Sequence, residues 1–91
     1  MLKLQLSSQF KKDYKRIVKQ EKNVDLLWLV IEKLLKNEKL DEKFRDHSLT
    51  GKYKNNRECH INPDWLLIYR IDNEKLILTA VRTGSHSDLF L

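Results

Sequence analysis

Hydrophobic and polar positions alternate over the first six residues and then switch to a longer repeat. Leucine occupies every second position, at Leu2, Leu4 and Leu6, which predicts a half-buried strand. Two serines follow as candidate helix N-caps. Apolar side chains at helical spacing then predict a first helix over residues 8–22. The stripe on that helix is formed by four residues: Phe10, Tyr14, Ile17 and Val18.

A second helix is predicted over residues 24–37, where apolar side chains again repeat at helical spacing. This stripe is wide, which indicates burial on more than one side, against the first helix and against a sheet. Residues 39–50 are polar and irregular, and they predict a loop that ends at Gly51.

The period changes again after the loop. Residues 57–61, 65–72 and 75–83 are rich in branched and aromatic side chains and predict three strands. The turns between them, residues 62–64 and 72–74, are too short for anything but antiparallel neighbours. The predicted fold is α+β: βαα followed by antiparallel strands, with the two helices on one face of the sheet.

The length of 91 residues allows one domain, residues 1–91. A single cysteine, Cys59, cannot form an internal disulfide, which argues against the secreted, disulfide-stapled class. Residues 1–6 are too short and too polar for a signal peptide. The longest apolar run, residues 26–31, is far shorter than a membrane span. A cytoplasmic protein without a membrane segment is expected.

The formal net charge is +5, and most of the surplus lies in the first half of the chain. Residues 1–46 carry twelve basic and eight acidic side chains, whereas residues 47–91 carry six and five. A basic surface favours polyanions, with nucleic acid first. The alternative is a solvated lysine-rich face that keeps the protein soluble.

The candidate chemistry lies in the second half of the chain. His47 stands in the predicted loop, His60 ends a predicted strand and His86 follows the last strand. Asp64 occupies the turn after His60, and Arg82 closes the final strand. His60 and Asp64 flank one tight turn and are expected to lie close together, whereas the pattern does not fix the positions of the other two histidines.

Three interpretations compete for this set. Each histidine can be an ordinary surface or capping residue. Three imidazoles and a carboxylate can also bind zinc, although no ligand motif of recognisable spacing is present. The third interpretation is acid–base cleavage of an RNA phosphodiester, because imidazoles exchange protons near neutral pH and the 2′-hydroxyl supplies a nucleophile.

Several neighbouring residues allow both a structural and a functional role. Trp65 either fills the core or stacks on a base, and Phe90 either anchors the C-terminus or stacks on a nucleotide. Cys59 is expected to be a buried, unreactive thiol. Arg57 and Glu58 are predicted to be charges on the strand surface.

Three blocks of sequence carry a family resemblance. They are Asp46–Gly51 (DHSLTG), Arg57–Tyr69 (RECHINPDWLLIY) and Arg82–Phe90 (RTGSHSDLF). In this order and at this spacing they resemble the YafQ branch of the RelE/ParE toxin superfamily. Residues 1–45 match that family only in length and helical pattern.

The resemblance implies a microbial-RNase-like fold, a twisted antiparallel sheet with two N-terminal helices on one side. It implies an endoribonuclease, an mRNA interferase that cleaves mRNA on the ribosome without a cofactor. It also implies a cognate antitoxin of the DinJ/RelB type, which neutralises the toxin and forms with it a complex that binds operator DNA.

By the same resemblance, the functional positions are His47, His60, Asp64, Trp65, His86 and Phe90. Arg82, in the third block, is added as the group that stabilises charge on the phosphate. The expected reaction is attack of the 2′-hydroxyl on the adjacent phosphate, giving a 2′,3′-cyclic phosphate, or the 3′-phosphate derived from it, and a 5′-hydroxyl. His60, Asp64 or His47 takes the proton, and His86 protonates the leaving oxygen.

The expected roles of the two aromatic side chains, Trp65 and Phe90, are to hold or orient bases. The competing hypothesis from another class is a non-catalytic basic module of the same fold that binds nucleic acid or a protein partner.

Overall fold

A computed structural model describes the whole chain, residues 1–91, which forms a five-stranded sheet with two helices on one face and a short third helix on the other. The strands are β1 (Lys3–Leu6), β2 (His47–Ser48), β3 (Arg57–Asn62), β4 (Trp65–Asp72) and β5 (Ile77–Gly84). The helices are α1 (Ser8–Lys19), α2 (Val24–Leu35) and α3 (His86–Phe90). No helix is long and apolar enough to cross a membrane. The predicted α+β class is confirmed.

The sheet is mixed rather than antiparallel throughout. Its strand order is β1-β5-β4-β3-β2, and the neighbouring pairs β5-β4, β4-β3 and β3-β2 are antiparallel. β1 pairs in parallel with β5, from Lys3 opposite Ile77 to Leu6 opposite Ala80. The first and the last strand of the chain are therefore neighbours, because α1 and α2 return the chain across the sheet.

Both long helices end earlier than their apolar stripes predict. Glu21 and Asn37 have left-handed backbones, each with φ of 58°. Beyond the end of α1, the Lys22 amide donates to the carbonyl of Ile17 at 3.2 Å, which closes the helix. Lys22 thus lies in the turn between the helices and not on α1.

The helices and the sheet enclose the main hydrophobic core. Phe10 and Ile17 of α1 and four residues of α2 pack against the alternate residues of β3, β4 and β5 that face them. A smaller cluster on the opposite face joins α3 to the sheet. The assignment of Val18 to the buried stripe of α1 is wrong, because Val18 is 49% exposed; Leu26 and Leu29 of α2 are exposed as well.

Side chains of α1 cover the part of β5 that extends beyond β1. The Ser7 hydroxyl donates to the carbonyl of Val81 at 2.7 Å. The amide of Thr83 donates to the Asp13 carboxylate at 3.1 Å, and Arg16 donates to the Thr83 carbonyl at 3.1 Å. These bonds satisfy backbone groups that an open strand edge would leave to solvent.

Candidate active site

One row of residues crosses four strands on the face opposite α1 and α2. His47 of β2 pairs with Glu58 of β3, Glu58 pairs with Ile68 of β4, and Ile68 pairs with Arg82 of β5. Residues paired in this way point to the same face of a sheet. The row therefore places an imidazole, a carboxylate and a guanidinium side by side, although they are far apart in sequence. The prediction that His47 stands in a loop is wrong, because His47 lies on the short strand β2.

The next row leads from His60 to His86. His60 pairs with Leu66, and Leu66 pairs with Gly84, the last residue of β5. Since His60 and Gly84 are two strand spacings apart, their Cα atoms are separated by about 10 Å. His86 follows two residues later, at the first position of α3. All three histidines thus gather at one end of the sheet.

Glu58 is the centre of a cluster with two histidines. Glu58 is only 7% exposed, and its oxygens lie 3.4 Å from His47 Nε2 and 3.8 Å from His60 Nε2. We call His47, Glu58 and His60 the Glu58 cluster. The prediction that Glu58 is a surface charge is wrong, because β2 and the two imidazoles cover it. Arg57, which was predicted likewise, does lie at the surface.

The two imidazoles of the cluster differ in access. The His47 side chain is half exposed, and its Nδ1 lies 2.7 Å from the carbonyl of Arg45, to which it can only donate. When protonated, His47 therefore donates from both nitrogens, to Arg45 and toward Glu58. The His60 side chain is 17% exposed, and its Nδ1 is buried without a hydrogen-bond partner.

Arg82 stands across the floor formed by Leu66 and Ile68. Its Nε and Nη2 donate to the two oxygens of Asp13 at 2.8 and 3.1 Å, and its Nη1 donates to the Tyr53 hydroxyl at 3.3 Å. The hydrogen bond to Asp13 raises the pKa of Arg82, outweighing the opposing effect of burial. The guanidinium is permanently charged and fixed in orientation.

The short helix α3 places His86 beside two aromatic rings. Ser85 and Asp88 form a capping box at its start, each accepting a hydrogen bond from the other's backbone amide at 3.1 Å. His86 is exposed and lies 4.8 Å from the ring of Phe90, which meets Tyr53 edge to face at 5.5 Å. The Tyr53 hydroxyl also accepts a hydrogen bond from Arg82, so Tyr53 connects Arg82 to Phe90 and His86.

The structure buries Trp65 instead of offering it to a base. Its residue is 1% exposed, and its indole N–H donates to the Thr83 hydroxyl at 2.8 Å. The predicted stacking role is therefore wrong for this arrangement, and Trp65 is a core residue that ties β4 to β5. Asp64 is exposed in the β3–β4 turn at the same end of the sheet, and its carboxylate forms no ion pair with His60.

The exposure of the histidines, the lack of a metal-binding cluster and the position of Cys59 further characterise the site. His47 and His86 are exposed, whereas His60 is largely covered. No three His, Cys, Asp or Glu side chains are arranged to hold a metal ion. Cys59 is buried on the helix side of the sheet, where burial raises the pKa of its thiol.

Sequence reasoning missed Glu58, Tyr53 and Asp13. For Glu58 a signal existed, since residues two apart on a strand share a face and Glu58 stands two before His60. Tyr53 lies in a 3-10 turn, and Asp13 lies on a helix some 70 residues before its partner, and no local pattern links either of them to Arg82.

Comparison with known proteins identifies the family of this chain. A family model described as YafQ, a bacterial toxin of type II toxin–antitoxin systems, matches residues 2–91. The chain belongs to the YafQ toxin family. The mRNA interferase toxin YafQ of Escherichia coli K12 is 35% identical over 88 residues, which is 96% of this chain and 94% of that protein.

Solved structures of similar toxins share the fold over their whole length. A metal-bound toxin from Helicobacter pylori superimposes with a TM-score of 0.93 at 43% identity and covers 99% of this chain and 100% of its own. YafQ in the E. coli DinJ–YafQ complex gives a TM-score of 0.90 at 34% identity, with both chains covered completely. The resemblance found in the three sequence blocks is thereby confirmed.

Proposed function

We propose that this YafQ-family toxin is an mRNA interferase, an endoribonuclease that cleaves mRNA by acid–base catalysis. One observation carries the proposal. His60 of the Glu58 cluster and Gly84, two residues before His86, lie on either side of the apolar residue Leu66, with their Cα atoms about 10 Å apart. In-line displacement at a phosphate needs a proton acceptor on one side and a proton donor on the other.

The reaction balances without an added reagent. The ribose 2′-oxygen forms a bond to the adjacent phosphorus as the bond from phosphorus to the 5′-oxygen breaks. The proton of the 2′-hydroxyl passes to the Glu58 cluster, and His86 gives its proton to the departing 5′-oxygen. The products are a 2′,3′-cyclic phosphate and a 5′-hydroxyl.

The proton acceptor is assigned to the cluster rather than to one side chain. The Glu58 carboxylate lies 3.4 Å from His47 Nε2 and 3.8 Å from His60 Nε2, so both imidazoles face the same carboxylate.

Arg82 and Phe90 complete the site. Three N–H groups of Arg82 are engaged by Asp13 and Tyr53, which leaves two of its five for a phosphate oxygen. This contact would stabilise the charge that develops in the transition state. Phe90 is 38% exposed beside His86 and offers a ring face on which a base can stack. Asp64, at the same end of the sheet, is proposed to contact the substrate.

Two partners follow from the proposal. His47 and His86 are exposed and accessible to a large substrate, and we propose that this substrate is mRNA presented by the ribosome. A cognate antitoxin, as DinJ is for E. coli YafQ, would neutralise the toxin, and the complex would bind operator DNA through the antitoxin.

The test is cleavage of mRNA on translating ribosomes by the purified wild-type protein and by His86→Ala, in buffer with EDTA. Ser87→Ala is the matched control, because Ser87 is exposed on the same short helix. We expect wild-type protein and Ser87→Ala to produce 2′,3′-cyclic ends and His86→Ala to lose cleavage by about 100-fold or more.

The alternatives give different results. Absence of cleavage by every protein would favour the non-catalytic binding module. Equal cleavage by wild-type protein and His86→Ala would remove His86 from the mechanism. Wild-type cleavage that disappears in EDTA and returns with zinc would replace the proton-transfer scheme with a metal site, provided that the ribosomes stay active in EDTA.

A further inference from the structure

The most deeply buried charge of the protein is not part of the proposed proton transfer. Asp13 is 0% exposed, although it carries a carboxylate in the middle of the basic helix α1. A buried carboxylate is costly unless it is paired and hydrogen-bonded, so its retention needs an explanation.

Every oxygen of Asp13 points toward β5 or toward its own helix. Oδ2 accepts from Arg82 Nε at 2.8 Å and from the Thr83 amide at 3.1 Å. Oδ1 accepts from Arg82 Nη2 at 3.1 Å and from Gln9 at 3.2 Å, and it lies 3.3 Å from Arg16 Nη2. The contact with Arg82 is a two-pronged pair that fixes the plane of the guanidinium.

We propose that Asp13 is a positioning residue of the active site: it holds the Arg82 guanidinium in the orientation that a phosphate needs. This inference rests on the proposed function, because it assigns Arg82 to the scissile phosphate. Asp13 itself does not touch the substrate, since its carboxylate is sealed between α1 and β5.

The geometry favours positioning over simple charge pairing. Asp13 occupies one edge of the guanidinium, through Nε and Nη2, and Tyr53 takes one N–H of Nη1. The two remaining N–H groups, one on each terminal nitrogen, are left for the site. Without Asp13 the long Arg82 side chain regains rotamer freedom, which the transition state must then remove.

The test is a double-mutant cycle between Asp13→Asn and Arg82→Ala, with kcat and KM measured on ribosome-bound mRNA. Asparagine keeps the shape of aspartate and one oxygen for the Thr83 amide, but it turns an N–H₂ group toward Arg82 or Arg16. We expect Asp13→Asn to lower kcat by about tenfold with little change in KM, and Arg82→Ala to lower it by about 100-fold.

The cycle separates positioning from a structural effect. If Asp13 acts through Arg82, adding Asp13→Asn to Arg82→Ala lowers kcat by no more than about twofold further. A full tenfold loss in that background would overturn the inference. Gln9→Ala is the matched control, because it removes one hydrogen bond to Asp13 and leaves the Arg82 pair intact; it should keep wild-type kcat.

Failure of the inference is distinct from failure of the proposed function. If Arg82→Ala keeps wild-type kcat while His86→Ala is inactive, the nuclease stands and Asp13 has no catalytic group to position. If Asp13→Asn does not fold, the wild-type protein supplies the measurement by NMR. A held guanidinium gives separate, slowly exchanging Arg82 N–H resonances, and an averaged, freely rotating one would overturn the inference.

Discussion

Replacement of Trp65 separates a core residue from a base-stacking residue. The structure buries this indole almost completely and joins its N–H to the Thr83 hydroxyl. Phenylalanine at this position leaves a gap worth roughly 1–2 kcal/mol of lost burial. The lost hydrogen bond adds about 1 kcal/mol. In a domain of this size, a total of roughly 2–3 kcal/mol lowers Tm by about 10–20 °C.

Catalysis should respond differently from stability. A base stacked on an aromatic side chain contributes roughly 1–3 kcal/mol, so loss of stacking would weaken RNA binding by about 5- to 150-fold. We expect Trp65→Phe and Trp65→Leu to lower Tm and yet to keep KM within about twofold of wild type. The assay is cleavage at a temperature well below both melting points, normalised to the folded fraction by circular dichroism.

The second tryptophan provides the matched control. Trp28 is half-buried on α2, and its indole N–H also donates to a hydroxyl, that of Tyr14 at 3.0 Å. Trp28→Leu should therefore lower Tm without any change in KM. A folded Trp65→Leu protein with a KM raised tenfold, beside normal values for Trp65→Phe and Trp28→Leu, would refute the assignment of Trp65 to the core.

Two further predictions concern charge. The exposed lysines of α1 should make RNA binding depend steeply on salt: four phosphate contacts weaken binding to a single strand by about 50-fold between 50 and 200 mM salt. Changing all four to glutamine should flatten that slope in fluorescence anisotropy, and an unchanged slope would leave them a role in solubility only; they are Lys11, Lys12, Lys15 and Lys19. The Ser85 amide lowers the pKa of Asp88, so its stabilising effect is present at neutral pH and is lost as the pH falls through that lowered value. Asp88→Asn should cost about 1 kcal/mol in the free energy of unfolding at pH 7, and a cost that persists unchanged at pH 2 would contradict the capping role.

The fold was largely predictable because most of its elements are long and periodic. The last three strands, β3, β4 and β5, were predicted within two residues of their bounds, since short turns force antiparallel pairing. The parallel pairing of β1 with β5 was not predictable, because no local feature of residues 3–6 identifies a partner more than 70 residues away. β2 has only two residues, too few to show any alternation.

Helix ends illustrate another limit. Asn37 adopts a left-handed backbone readily, and it could have marked the end of α2. Glu21 adopts the same conformation without any compositional signal. Val18 was predicted to be buried because it continues the apolar stripe of α1. The buried side of α1 is narrower than that stripe, and the Val18 side chain faces solvent.

The candidate site was predictable only in part. Histidines at the ends of segments were found because their spacing and the family blocks drew attention to them. The buried carboxylates of Glu58 and Asp13 were not, because an acidic residue is exposed far more often than buried. Their burial depends on partners that only the tertiary structure supplies, two imidazoles in one case and two guanidinium groups in the other.

The pairing of the chain's two ends has a consequence for the order of synthesis. Asp13 and Arg82 are 69 residues apart, and translation adds about 5–20 residues per second. Asp13 therefore waits about 3–14 seconds for its partner. The pair that fixes the Arg82 guanidinium therefore cannot form until β5 has been synthesised.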